Sequence, residues 1–348
     1  MNTASQPLVS IVTPVYNGAE YLAECIESVL EQSYQNWDYT IVNNCSTDAS
    51  GEIARRYAAK DSRIRVRENQ EFLRVIPNHN VAFRQISPQS KYCKMIFADD
   101  WMFPDCIAQM VAMAEEYPSV GIVHAYSLQG SKVLWTGLPY SRRPVSGREV
   151  CRQLFLNGLY VFGSATAMLY RSDLVRSHDP FYNEANLHAD TEATISLLRN
   201  CDFGFVHQVL AYSRERAGSL SKMSTDLNTH IAGSLHALVV YGPDYLTREE
   251  LQGQLSQHLS GYYAFLGKGL LLGRDKAFWD YHKKKLMEAG AGFSRPRVLA
   301  GALKQIGRAL LRPASALDKL LERRHAEAKM QDRESNSTVS TRRGGTVA

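Results

Sequence analysis

The chain of 348 residues lacks any run of about 18 uncharged apolar residues, the length that a membrane-spanning helix needs. Its N-terminus has no basic segment followed by an apolar run, so no signal peptide is expected. Its six cysteines are scattered singly, without a CxxC pair or a metal-ligand spacing, which favours buried thiols in a reducing compartment. The net charge of +5 is mild and indicates no nucleic-acid partner. We therefore expect a cytoplasmic protein, soluble or peripheral on the inner face of a membrane.

The chain has ample material for a core, because 45% of its residues are hydrophobic and 22% are charged. Its first 125 residues alternate strand and helix patterns. Strands are predicted at residues 8–13, 39–42, 64–66, 94–98 and 120–123. Helices are predicted at residues 18–33, 46–59, 80–86 and 104–117. This alternation predicts an α/β fold with a mainly parallel sheet that helices cover on both faces.

The pattern becomes less regular after residue 145, with a strand-like run at 164–171, a helix from Asp190 and a strand at 203–213. Beyond residue 223 the chain is predicted to be mostly helical. We predict a catalytic domain at 1–222, a helical C-terminal region at 223–325 and a disordered tail at 326–348.

The stretch 295–324 mixes regularly spaced leucines with basic residues that outnumber its two acids. It predicts an amphipathic helix that lies on an anionic membrane surface. The alternative is that its apolar face packs on the catalytic domain.

Polar residues follow the predicted strands, and in parallel sheets ligands bind beyond the carboxyl ends of the strands. After the first strand, Pro14, Tyr16 and Asn17 form a turn that offers backbone groups and an aromatic ring to a nucleoside; a simple strand cap is the alternative. After the second, the amides of Asn43 and Asn44 can pair with the edge of a nucleobase. An Asx-turn with a helix cap is the alternative there.

Two adjacent acids, Asp99 and Asp100, follow an apolar strand. Two carboxylates in a partly dry crevice are costly unless a cation shares them. Their oxygens suit Mg²⁺ or Mn²⁺, and such an ion typically holds a substrate diphosphate. A solvated acidic turn is the alternative.

Taken together, the three blocks resemble those of the family-2 glycosyltransferases of GT-A fold, over roughly residues 7–220. The resemblance rests on Pro14–Asn17, on NNCSTD at 43–48, and on Asp99-Asp100 followed by Pro104-Asp105. It implies transfer of a sugar, with inversion, from a nucleotide sugar to an acceptor hydroxyl. A UDP-sugar donor is favoured. The expected acceptor is a saccharide or lipid-linked saccharide in surface-polysaccharide or glycolipid synthesis.

The resemblance also implies roles for single residues. Asn44 would contact the donor's base, Asp99 would lie near its ribose, and Asp100 would bind the divalent metal. Asp190 is the first candidate for the catalytic base and Glu192 the second. Arg214 and Arg216 would bind phosphate oxygens.

Two departures from the family pattern keep other functions open. Asn43-Asn44 replaces the usual acidic pair, and Ala189 replaces the Glu that usually precedes the catalytic Asp. One alternative is therefore a catalytically silent binding protein of the same fold. A nucleotidyltransferase is another, but it needs a glycine- and lysine-rich triphosphate loop, and the first turn offers only Gly18.

Overall fold

The structure is a computed structural model that describes residues 6–141, 144–215, 224 and 227–311, with side chains up to residue 307. The chain divides into two compact units, Met1–Ser256 and Gln257–Ala348. The predicted domain boundary at 222–223, the predicted tail and Arg216 lie outside the described residues.

A nine-stranded sheet forms the centre of the first unit. Its strands are β1 (Val9–Val15), β2 (Trp37–Asn43), β3 (Ile64–Glu68), β4 (Tyr92–Met95), β5 (Trp101–Met102), β6 (Val120–Gln129), β7 (Lys132–Leu134), β8 (Met168–Arg171) and β9 (Asp202–Tyr212). They are ordered β3-β2-β1-β4-β8-β6-β9-β5, and β7 pairs with β6 at the side.

The described α-helices follow or flank these strands. They are α1 (Leu22–Leu30), α2 (Ser50–Ala58), α3 (Val75–Phe83), α4 (Cys106–Glu116), α5 (Gly147–Asn157), α6 (Ser172–Arg176), α7 (Ala189–Leu197), α8 (Thr229–Tyr245), α9 (Arg248–Leu271), α10 (Lys276–Glu288) and α11 (Arg295–Leu311). A 3₁₀ turn, Ala165–Ala167, precedes β8. α3 begins five residues before the predicted helix at 80–86.

The sheet is parallel in its first half and mixed in its second. β3, β2, β1 and β4 are parallel neighbours, as predicted. β8 is antiparallel to both β4 and β6, while β9 is parallel to β6 and antiparallel to β5. Antiparallel pairs need no helical crossover, which explains the less regular sequence pattern after residue 145.

Pro14 lies inside β1, although the sequence predicted that the strand would end before it. The backbone N–H and C=O groups of successive residues point to opposite neighbouring strands, so those of Pro14 point to the same strand as those of Val12. Pairing of β1 with that neighbour, β4, ends at Val12 and Met95. Because Pro14 has no partner strand on that side, its missing N–H costs no hydrogen bond between strands, and the strand continues to Val15.

The core lies on both faces of the sheet. Val12 and Met95 belong to one buried cluster, whereas the neighbouring Ile11 and Ile41 belong to the other. This alternation confirms the expected covering of both faces.

In the second unit, α11 packs through small residues on the C-terminal part of α9. A Cβ on Gly301 would come within 2.3 Å of the Tyr263 carbonyl oxygen, so the two backbones approach closely there. Tyr262 and His282 share a buried hydrogen bond of 2.7 Å between α9 and α10. Of the helices described, none combines the length and apolar character needed to cross a membrane.

Candidate active site

The loops that follow β1 and β2 are bonded directly to each other. Asn17 adopts a left-handed conformation with φ 48°. Its Oδ1 accepts the Thr47 N–H at 2.8 Å, and its own N–H donates to Ser46 Oγ at 3.0 Å. Asn17 thus joins the ends of two parallel strands, while its side chain stays exposed.

Asp48 forms a second link between these loops. It accepts the Ala19 N–H at 3.0 Å and the Ser50 N–H at 2.9 Å. Partial burial acts to raise its pKa, but hydrogen bonds from Ser50 and Ala19 lower the pKa of Asp48 below its ordinary value. Ser46 and Asp48 therefore precede the helix, and α2 begins at Ser50, four residues later than predicted.

Asn44 is buried and bonds to the backbone of a neighbouring loop. Its Oδ1 accepts the Leu73 N–H at 2.9 Å, and its Nδ2 donates to the Leu73 carbonyl at 2.8 Å. Asn69 Nδ2 also donates to Oδ1 at 2.9 Å. The amide expected to contact a nucleobase is thus engaged by protein, and its geometry indicates a role in shaping residues 69–73.

That loop places Phe72 beside Tyr16. Both rings are exposed, at 57% and 46%, and their centroids are 4.7 Å apart. The sequence indicated Tyr16 but not Phe72, because no pattern in the chain connects a loop residue at 72 with the end of β1. Pro14, by contrast, is buried within β1 and leads the backbone to Tyr16.

Asp100 is 5% exposed, and each of its oxygens accepts a hydrogen bond. Oδ1 accepts the Arg214 N–H at 2.9 Å and Oδ2 accepts the Thr166 hydroxyl at 2.7 Å. Burial, with a further contribution from the Asp99 charge, raises the pKa of Asp100 to about 7. The charge of Asp99 therefore helps to destabilise the charged form of Asp100, as expected of a carboxylate that a cation would neutralise.

Arg214 holds this turn against α1. Its Nε donates to the Asp99 carbonyl at 3.1 Å, and its guanidinium pairs with Glu24. The guanidinium also lies 4.3 Å from the centre of the Tyr21 ring. Arg214 is thus beside the acidic pair, but its charge is already shared with Glu24.

Thr166 and Lys94 were missed by the sequence analysis. Lys94 is fully buried on β4, where its ammonium donates to the carbonyls of Thr166 and Met168. Burial lowers the pKa of Lys94. A lysine in an otherwise apolar strand was a visible signal, but its partner 72 residues away was not.

Asp190 lies in the first turn of α7, as predicted, and is partly exposed. Its Oδ1 accepts the Thr191 N–H at 2.7 Å. The Thr191 hydroxyl in turn bonds to the Tyr160 hydroxyl at 2.6 Å. The segment 160–166 therefore contacts the surroundings of Asp190 at one end and Asp100 at the other.

Glu192 is 9% exposed, and its carboxylate accepts hydrogen bonds from side chains of the protein. Asn186 Nδ2 and the Tyr241 hydroxyl donate to it at 2.6 and 2.9 Å, and Asn183 and His236 add longer contacts. Burial alone would raise its pKa, but these partners, His236 foremost, lower the pKa of Glu192 to about 2. A carboxylate so stabilised is a poor proton acceptor near neutral pH. The geometry therefore favours Asp190 over Glu192 as a base.

Within the described ranges, no group of three or more His, Cys, Asp or Glu side chains is placed to enclose a metal ion. The acidic pair still suits Mg²⁺ or Mn²⁺, because these ions are often held by one or two carboxylates together with substrate phosphates. An oxygen of Asp100 that accepts one hydrogen bond retains a second lone pair for a cation.

Comparison with known sequences gives one family. Residues 10–178 match the family described as Glycosyl transferase family 2. The glycosyltransferase GlyG of Streptococcus pneumoniae serotype 4 is 26% identical over 234 residues, which cover 64% of this chain and 75% of GlyG. GlyA of the same organism is 26% identical over 289 residues, which cover 78% of this chain but only 39% of GlyA.

Two solved structures share the fold. S. aureus TarS 1–349 in complex with UDP-GlcNAc has a TM-score of 0.60 and 17% identity, and the match covers 86% of this chain and 88% of that one. Mannosyltransferase PcManGT from Pyrobaculum calidifontis, in complex with GDP-Man and Mn²⁺, has a TM-score of 0.53 and 14% identity, covering 88% of both chains.

Proposed function

The chain belongs to glycosyl transferase family 2 and has the GT-A fold, and we propose that it transfers a sugar from a nucleotide-sugar donor to a saccharide hydroxyl with inversion. The observation that carries this proposal is the contact of one segment, residues 160–166, with both acid sites. The acid predicted to bind the metal and the acid predicted to act as base are thereby linked across 90 residues of sequence.

The donor's base would bind at the exposed rings of Tyr16 and Phe72, which can hold it by stacking. Asn44 contributes by fixing the Phe72 loop. Asp99, partly exposed at the turn after β4, is the proposed ribose contact. We favour a UDP-sugar, and the donor bound by TarS belongs to that class.

The diphosphate would lie against Asp100 and Arg214. A divalent cation would be held by Asp100, with Asp99 adjacent, and would neutralise charge on the departing nucleoside diphosphate. Arg214 would offer its guanidinium to phosphate oxygens in exchange for Glu24. Arg216, outside the described residues, stays a predicted phosphate contact.

Asp190 is the proposed general base. Its carboxylate takes the proton from the acceptor hydroxyl as that oxygen forms a bond to the anomeric carbon. The bond from the same carbon to the diphosphate oxygen breaks on the opposite face, and the nucleoside diphosphate leaves with the electron pair. Thr191 fixes one oxygen of Asp190 through its N–H, so the other can face the acceptor.

The activity is tested by donor hydrolysis and transfer, measured for UDP-, dTDP- and GDP-sugars with and without Mn²⁺. A metal-dependent release of nucleoside diphosphate from one of these donors is expected. Donor binding without any release would instead indicate a silent binding protein. Release of pyrophosphate from a nucleoside triphosphate would indicate a nucleotidyltransferase.

We also propose that α11 lies on an anionic membrane, close to a lipid-linked acceptor. Its buried face is formed by Val298 and Ala302, whereas Leu299, Leu303 and Ile306 are 56%, 68% and 42% exposed. These three side chains follow helical spacing, and Arg295, Arg297 and Lys304 are exposed on the same helix. An exposed apolar stripe among basic residues is typical of helices that lie in the headgroup region.

The membrane proposal is tested by co-sedimentation of the full chain with vesicles of anionic or neutral lipid. Pelleting with anionic vesicles, reduced by salt and by Leu303→Asp, is expected. Equal pelleting of the wild type with both kinds of vesicle, or none, would contradict it.

A further inference from the structure

Two aromatic rings lie next to the proposed base. The Tyr160 side chain is partly exposed, and its hydroxyl is bonded to Thr191, the residue that follows Asp190. The Trp135 ring, from the loop after β7, has its centroid 5.5 Å from that of Tyr160, at an interplanar angle of 59°. Together they form a tilted pair of rings beside a carboxylate.

Trp135 is held in a costly conformation. Its φ of 66° is in the left-handed region, which is unusual for a bulky residue. Its indole N–H is buried, and none of the residues that the structure describes accepts a hydrogen bond from it. Both features cost free energy, and strained residues of this kind concentrate at ligand sites. The position of the ring is therefore better explained by binding than by stability.

Gly163 lacks a side chain where the Trp135 ring lies. A Cβ at residue 163 would lie 2.6 and 2.8 Å from two carbons of that ring and 3.1 Å from the Tyr160 hydroxyl oxygen. No side chain fits there unless the indole moves. The next residue, Ser164, also has a left-handed φ, 37°. Gly163 and the strained backbone of Ser164 thus lie at the point where the two rings meet.

We propose that Trp135 and Tyr160 form the acceptor subsite and bind a pyranose ring whose hydroxyl faces Asp190. This inference rests on the proposed function, because it takes Asp190 as the base. A pyranose presents C–H bonds on one face and hydroxyls at its edge. The C–H face packs on aromatic rings, while an edge hydroxyl suits the Asp190 carboxylate. A rigid aromatic pair also costs little entropy to order.

The test measures the KM for the acceptor with p-nitrophenyl β-glycosides of glucose, galactose and N-acetylglucosamine, and with glycerol phosphate as a non-pyranose probe. Trp135→Ala and Tyr160→Ala are expected to raise the KM for a pyranoside about tenfold or more. Tyr160→Phe, which keeps the ring, should stay within about threefold of wild type. Gly163→Ala should match Trp135→Ala, because its methyl group displaces the indole. Donor affinity, measured by calorimetry, should be retained in all of them.

Tyr140→Ala is the matched control, because Tyr140 is an exposed aromatic of the same loop whose ring contacts His207 instead. It should leave the KM unchanged. An equal effect of Tyr140→Ala, an unchanged KM in Trp135→Ala and Tyr160→Ala, or transfer to glycerol phosphate but to no pyranoside would overturn the subsite.

Saturation-transfer NMR with the same glycosides and UDP reads acceptor binding without turnover. Binding by wild type and its loss in Trp135→Ala support the subsite even if no transfer occurs, in which case the proposed function alone fails. If Trp135→Ala still binds the glycosides that wild type binds, the subsite is overturned even if transfer occurs. The same follows if wild type binds none of the glycosides.

Discussion

The two halves of the sheet build their parts of the site differently. In the donor half, residues 9–102, the loops after β1 and β2 are bonded through backbone groups, such as the Thr47 N–H to Asn17 and the Ala19 N–H to Asp48. In the acceptor half, residues 120–212, the joining contacts run between side chains, such as Tyr160 with Thr191. Thr166 carries one such side-chain contact across to Asp100.

This difference bears on which side chains of the site can be substituted without disturbing the fold. Parallel strands bring their carboxyl ends to one edge, so short polar loops there meet each other and make a rigid cradle. The mixed sheet of the acceptor half places its residues through longer loops, whose side chains can change without breaking a ladder. Substitutions of the residues that bond the donor-half loops to each other should therefore affect folding and donor binding together. Substitutions of Asp190 and the aromatic residues beside it should affect the transfer step or the acceptor.

The largest effect on turnover is expected for Asp190→Asn. Without the carboxylate that accepts the proton, the transfer rate should fall on the order of a hundredfold or more, with donor affinity retained. Steady-state transfer and calorimetric titration of the donor check this. Glu192→Gln, on the same helix, is the control, and a folded Glu192→Gln variant should keep its turnover. The opposite ranking would assign the base to Glu192.

Glu192→Ala should instead reduce stability. The shift of its pKa from 4.5 to about 2 corresponds to about 3 kcal/mol, since one unit is about 1.4 kcal/mol. Because the folded pKa is depressed, this stabilisation is present above about pH 4.5 and is lost as pH falls toward 2. Urea unfolding of wild type and variant should therefore differ most at pH 6–7. A difference that is the same at pH 3 and pH 7 would refute the charge-based explanation.

Asn44→Ala tests the donor half. It leaves the partly buried Leu73 N–H and carbonyl without their two hydrogen bonds to the Asn44 amide, at a cost of about 2 kcal/mol. Because the loop with Phe72 loosens, the affinity for the donor should also fall severalfold. Thr191→Val in the acceptor half is the matched comparison and should leave donor affinity unchanged. Asn44→Ala with normal stability and weakened donor binding would show that the amide contacts the donor directly.

The donor half could largely be predicted from the sequence. β1, β2 and the positions of Tyr16, Asp99 and Asp100 follow from short apolar runs closed by polar residues, a local signal. The errors were also local. The helix α2 was predicted to begin at residue 46 but begins at Ser50, because Asp48 bonds to the neighbouring loop. The strand β1 was predicted to end before Pro14 but includes it, because β1 has no partner strand on the N–H side of Pro14.

The acceptor half could not be predicted in the same way. Asp190 could be proposed because it opens a helix in a recognisable segment, but Tyr160, Thr166 and Trp135 depend on contacts between residues 25 to 66 positions apart. Side chains that meet only after the sheet forms leave no periodic pattern in the sequence. The hydrogen bonds that occupy Asn44 and Glu192 were invisible for the same reason.

The most direct test of the whole account is calorimetric titration of wild type and Asp100→Asn with a UDP-sugar, with and without Mn²⁺. Asn suits the apo site, because its Oδ1 still accepts the Arg214 N–H and Thr166 has a free lone pair for the amide. Because the pKa of Asp100 is raised to about 7, its charge destabilises the metal-free fold above that pH. Without metal at pH 8, the variant should therefore melt no lower than wild type. Mn²⁺ should strengthen donor binding at least tenfold in wild type and have no effect in Asp100→Asn. An equal Mn²⁺ effect in both proteins would contradict the assignment of the donor site to the acidic pair.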